Sequence, residues 1–148
     1  DIVFHSLQIK KAVVEADPFE KGLRKILNFG HTIGHAIETY SLENEKDSLL
    51  HGEAIVIGMI CEAYLSVKKS GLTESELEEI KTVLLKHFPK HDITSFDTDK
   101  LLSIMSIDKK NEGDTILAAL LPEIGKCEYD MVLTKEDVKE SLAFYASL

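Results

Sequence analysis

Residues 54–67 are apolar on nearly every face of a helix, broken by a single acidic side chain, Glu62. A helix that is hydrophobic all round has to be buried, so the rest of the chain must wrap it. The run is too short for the ~20 residues that a bilayer span requires, so no transmembrane segment is read here. With 148 residues, 44% of them apolar and 29% charged, the composition is that of one ordinary soluble domain able to build a core without disulfides or a structural metal.

The wrapping segments follow from periodicity and punctuation. Apolar residues at Ile2, Val3, Leu7, Ile9, Val13 and Val14 predict a helix over 2–15, stopped by Asp17-Pro18. A second helix is expected over 25–40 with Leu27, Ile33 and Ile37 inward, although Gly30 and Gly34 each weaken it by ~1 kcal/mol. Glycines in such a place call for a close approach of backbone or ligand, and they clear space beside the neighbouring histidines. Residues 41–50 read as an acidic loop, and 52–69 as the buried central helix with Gly71 as its stop. Thr73 followed by Glu76 is a capping box opening an exposed amphipathic helix before Pro89. A shorter helix begins at Phe96-Asp97. Residues 115–121 and 126–133 form a hairpin around Pro122-Glu123-Ile124-Gly125, and Thr134 caps the last helix. The fold class is therefore mainly α, one multi-helix domain over 1–148 with a single small hairpin near 115–133.

Charge narrows the class of partner. Lys and Arg number 17 against 26 Asp and Glu, a net charge of −9, and no basic stripe is present for phosphate backbones, which argues against nucleic acid. Cys61 and Cys127 have neither CxxC nor framework spacing and read as reduced thiols of a cytoplasmic protein. The start, Asp1-Ile2-Val3-Phe4-His5, lacks an initiator Met and any targeting pattern, and reads as a cut edge with a helix entering from outside.

Six histidines are present, three of them in the most chemically dense stretch. His31 and His35 project from one helix face a turn apart, and His51 stands at the entrance of the next helix. Three imidazoles of this kind suit zinc, whose catalytic sites use three protein ligands and one open position. An HxxxH pair is often accidental, and spacing alone does not say whether His35 is a ligand or a nearby proton carrier. His5, His87 and His91 read as ordinary surface or core histidines. Lys10, Lys11, Arg24, Lys25, Asn28 and Asp108-Lys109-Lys110-Asn111 form a second set. In an acidic chain they read either as solvated helix faces or as a receptor for an anionic substrate.

The motifs GLR (22–24), NFGHTIGHAIE (28–38), LLHGEAIVIGM (49–59) and DKKN (108–111), in that order, resemble the C-terminal domain of 3-dehydroquinate synthase. The resemblance spans nearly the whole chain. It implies an NAD- and zinc- (or cobalt-) dependent lyase of aromatic amino acid biosynthesis. Such an enzyme turns 3-deoxy-D-arabino-heptulosonate 7-phosphate into 3-dehydroquinate and phosphate by transient oxidation, elimination, reduction and aldol closure. By the same resemblance His31 and His51 are metal ligands, and His35 is the catalytic residue contacting substrate or relaying protons. Lys10, Arg24, Asn28 and Lys109 bind substrate, with Lys11 beside Lys10 one register slip away. The third protein ligand and the NAD site belong to the family's N-terminal α/β domain, which lies outside this chain, and none of the eight glycines forms GxGxxG. A homodimer is implied for the full-length enzyme. On its own the chain is expected to be inert and to hold zinc weakly. The other readings are a related sugar-phosphate cyclase making a cyclitol, or a non-catalytic helical interaction or metal-binding module on the same scaffold.

Overall fold

The computed structural model describes residues 1–107 and 115–148. Among these, six α-helices, one 3₁₀ segment and one hairpin follow in the order α1 (Ile2–Ala16), the 3₁₀ segment (Leu23–Asn28), α2 (His31–Asn44), α3 (His51–Lys69), α4 (Glu74–His87), α5 (Thr98–Ile107), β1 (Ile116–Glu123), β2 (Lys126–Leu133) and α6 (Lys135–Ala146). The mainly α class with one hairpin is as expected. No described helix is long and apolar enough to cross a membrane.

α3 is the centre that its all-round hydrophobicity demands, packed by α2, α4, α6 and β1. Ile57, Ile60 and Leu65 of α3 are fully buried with Ile33 and Ile37 of α2, Leu101 of α5, Leu120 and Leu133 of the hairpin, and Val138 and Tyr145 of α6. A smaller cluster, Ala63, Leu72 and Leu77, seats α4. Its capping box is as read from sequence: Thr73 Oγ1 accepts from Glu76 N at 3.2 Å, and Glu76 Oε2 accepts from Thr73 N at 2.9 Å. Thr134 opens α6 in the same way with Asp137.

Both ends of α2 differ from the sequence expectation, and β1 runs on through Pro122 to Glu123. The helix expected from residue 25 begins at His31, because Gly30 takes a left-handed φ of +83° and the stretch before it coils as a 3₁₀ segment. At its other end α2 continues to Asn44 instead of stopping at Tyr40. Ser41 is buried there, and its Oγ accepts from Leu49 N at 2.9 Å, folding residues 45–50 back against the helix. α1 buries no residue and rests mainly on the 3₁₀ segment, leaving Ile2, Val3, Phe4, Leu7 and Ile9 exposed.

The hairpin pairs Ala118 with Met131 and then Leu120 with Glu128, so two residues of β2, Tyr129 and Asp130, oppose one of β1. This is a β-bulge, with Asp130 at φ +56°. It turns Tyr129 and Asp130 toward the 3₁₀ segment, where Lys25 Nζ meets Asp130 Oδ2 at 2.7 Å.

Candidate metal centre and substrate cleft

Close backbone approach brings the two histidine-bearing helices together. A methyl group on Gly58 of α3 would stand 2.0 Å from the Gly30 carbonyl oxygen and 2.6 Å from Gly34 N. Gly30 and Gly34 therefore serve the α2–α3 contact, and the expectation that they clear space beside the histidines is corrected. With the helices in van der Waals contact, the first turn of α2 packs on Gly58 and Met59 of α3 and the start of α3 lies against Gly34 and Glu38, and the three imidazoles converge.

The ring centroids of His31 and His35 are 5.0 Å apart, and each lies 5.8 Å from that of His51. One nitrogen from each ring falls within 4.8 Å of the others. Three imidazoles bound to one tetrahedral ion at ~2.0–2.1 Å would hold their centroids roughly 5 Å apart, so the triangle fits a divalent metal after small side-chain rotations. His31 is half-buried and the other two are exposed, which leaves the point of convergence open to solvent on one side.

The remaining nitrogens of two of these rings are already assigned. His31 Nδ1 donates to the Phe29 carbonyl at 3.2 Å, and His51 Nδ1 donates to Glu38 Oε2 at 3.0 Å. An oxygen acceptor on Nδ1 fixes the tautomer and leaves the Nε2 lone pair free, the arrangement in which histidine binds metals. Glu38 lies seven positions after His31 on α2, so it shares the face that looks toward α3.

Beside the cluster opens a cleft of about 240 Å³, lined among others by Glu20, Lys25, Asn28, His31, His35 and Asp130. Asn28 Nδ2 donates to Glu20 Oε1 at 2.9 Å. Among the described residues lining this cleft, Lys25 is the only lysine or arginine, and it is paired with Asp130. Of the expected substrate residues, the structure thus brings Asn28 and His35 to the cleft with His31. Lys10 is exposed on α1 and does not line it. Arg24 sits nearby in the 3₁₀ segment with Nη1 donating to the Pro18 carbonyl at 3.0 Å. Lys109 and the rest of DKKN lie outside the described residues.

The turn that carries Arg24 is built by Asp17, whose carboxylate accepts from Lys21 N at 3.0 Å, Gly22 N at 2.8 Å and Arg24 N at 3.1 Å. These three backbone groups hold the Asp17 carboxyl below its ordinary range. Both cysteines stand apart from the site as free thiols. Burial drives the Cys61 thiol well above its ordinary range, and burial with nearby carboxylates pushes Cys127 up to about 11. Sequence reasoning passed over Glu20, Glu38, Tyr129 and Asp130. Only Glu38 carried a usable signal, its spacing of two turns from His31.

Comparison with known proteins accords with this geometry. The family model described as 3-dehydroquinate synthase C-terminal matches residues 1–111. The 3-dehydroquinate synthase of Parabacteroides distasonis is 40% identical over 144 residues, covering 97% of this chain and 40% of that protein. That of Streptococcus agalactiae serotype Ia is 39% identical over 136 residues, 91% of this chain and 37% of its own length. Among solved structures, 2-deoxy-scyllo-inosose synthase complexed with carbaglucose-6-phosphate, NAD⁺ and Co²⁺ superposes with a TM-score of 0.73 at 27% identity, over 90% of this chain and 38% of that one. A 2-epi-5-epi-valiolone synthase from Streptomyces hygroscopicus with NAD⁺ and Zn²⁺ bound shares the fold at a TM-score of 0.77 and 23% identity, over 99% and 39% of the two chains. The chain spans about two-fifths of the length of the curated relatives it matches.

Proposed function

The chain belongs to the 3-dehydroquinate synthase C-terminal family, and we propose that it is the metal- and substrate-binding part of an enzyme converting 3-deoxy-D-arabino-heptulosonate 7-phosphate to 3-dehydroquinate and phosphate in the cytoplasm. The observation that carries the reading is the convergence of His31, His35 and His51, with Nδ1 of His31 and of His51 each tied to an oxygen. The likeness to cyclases crystallised with NAD⁺ and Co²⁺ supports the same cofactor class here.

His31 and His51 would hold the metal through Nε2. When bound, the metal would supply Lewis acidity toward a substrate hydroxyl and NAD⁺ would supply a reversible hydride acceptor. His35 stands beside the metal ligands on the cleft side and exchanges protons at its ring nitrogen, the acid–base chemistry open to an imidazole. Asn28 lines the cleft as a hydrogen-bonding group for substrate, and the motif resemblance, more than the cleft lining, supports Arg24, Lys10 and Lys109 as partners of the carboxylate and phosphate ends. Leu117 and Ala118 of β1 wall the cleft on its apolar side and limit water there.

Two histidines leave the metal one protein ligand short, and the chain spans about two-fifths of the length of its relatives. The activity therefore belongs to the full-length protein, working as a homodimer, and this chain alone is inert and binds metal weakly. The test is phosphate release from the heptulosonate phosphate by the full-length protein with NAD⁺ and Zn²⁺ or Co²⁺, parent against His35→Asn. We expect turnover in the parent and a loss of about 10²-fold or more in kcat for the variant. Preference for a phosphorylated sugar without a carboxylate would favour the cyclitol-forming alternative. Turnover by this chain alone would overturn the assignment of roles.

A further inference from the structure

Glu62 is the one ionisable carboxyl fully buried among the described residues, in the middle of α3. A group of this kind persists in a core only where polar partners satisfy it. Its partners are all backbone N–H groups of a different helix. Gly30 N donates to Oε2 at 2.5 Å and Ile33 N to Oε1 at 3.1 Å, with Thr32 N also directed at the carboxyl. These are orphan donors of the first turn of α2, which Gly30, lacking a side chain, does not cap.

We propose that Glu62 is a positioning residue for the metal centre, a cap supplied by α3 that locks the first turn of α2 and so fixes where the His31 imidazole stands relative to His51. His31 lies between the donors, with Gly30 before it and Thr32 and Ile33 after it held on one carboxyl group. His51 begins the helix that carries Glu62, about three turns away. One rigid element therefore bears one metal ligand directly and clamps the backbone of the other, and the spacing between the two rings becomes a property of α3. An apolar side chain of the same size would fill the space and leave the N–H groups unpaired. An amide would keep one acceptor and turn an N–H₂ toward another donor. Local capping could close α2 equally well for stability alone. A cap reaching from α3 adds registration between the helices.

The inference rests on the metal reading of the histidine cluster, and its test separates the two. In the full-length protein, Glu62→Leu and Glu62→Gln are compared with the parent by Co²⁺ titration and, metal-free, by ¹⁵N-histidine NMR, with circular dichroism reporting folding. The expected result is a Co²⁺ dissociation constant raised about tenfold in Glu62→Leu and less in Glu62→Gln. The His31 imidazole resonances shift in both variants, while those of His51 stay in place as an internal control. If the leucine variant does not fold, the glutamine variant decides. A folded variant with affinity within twofold of the parent and unmoved His31 resonances overturns the proposal, even if its melting temperature falls. If the parent binds no Co²⁺, the metal reading fails instead, and the His31 resonances alone decide the role of Glu62.

Discussion

Gly58 of α3 and Gly30 at the start of α2 touch so closely that a single methyl group at position 58 would stand 2.0 Å from the Gly30 carbonyl oxygen. The atom it would meet is backbone, so relief requires the helices to part. Gly58→Ala is predicted to cost about 3 kcal/mol or more, at the upper end of overpacking effects. Urea unfolding checks this, and a loss below about 1 kcal/mol would show the interface to be softer than the geometry implies.

Glu38 holds His51 through a 3.0 Å hydrogen bond to Nδ1. Replacing it with glutamine removes the charge that keeps Nδ1 protonated and Nε2 available, so Glu38→Gln is expected to weaken Co²⁺ binding by about tenfold with little change in melting temperature. Parental affinity would mean that the contact is incidental.

Asp17 gives the chain an acid-side dependence. Its carboxyl is held below the ordinary 3.8 by backbone N–H groups of Gly22, Lys21 and Arg24, in that order. The folded value lies below the unfolded one, so its contribution is complete above pH 3.8 and is lost as the pH falls through the folded value. Stability measured from pH 6 to pH 2.5 is therefore predicted to fall less steeply in Asp17→Asn than in the parent. Parallel curves would remove Asp17 as the organiser of that turn.

The thiols should be quiet. Cys127 is pushed up to about 11 and Cys61 lies buried against the Ser141 carbonyl, so at pH 7.5 a disulfide reagent is expected to label Cys127 slowly and Cys61 only after unfolding. Rapid labelling of both would contradict the packing described around α3.

What the sequence made legible was local or periodic. The burial of α3 follows from its all-round hydrophobicity, and the starts of α4 and α6 follow from Thr73 and Thr134, whose partners lie three residues on. The start of α2 falls later than the apolar period implies because Gly30 turns left-handed there, and the cap on its first turn comes from Glu62, 32 positions on, which no local pattern carries. The overrun of α2 past Tyr40 likewise depends on Ser41 bonding Leu49 across a turn. At the site, the HxxxH pair and His51 were visible as residue types. Their meeting follows from the motif resemblance and not from spacing, since physically it depends on two glycine-to-backbone contacts between helices. The lining by Tyr129 and Asp130 depends on a bulge in β2 that alternation alone does not reveal.

The central claim is that His31 and His51 face one ion, and anomalous diffraction at the zinc edge from crystals grown with Zn²⁺ tests it most directly. The account predicts one strong peak at ~2.0–2.1 Å from Nε2 of both rings, with His35 close by. Zinc bound elsewhere while these two rings coordinate nothing would contradict it.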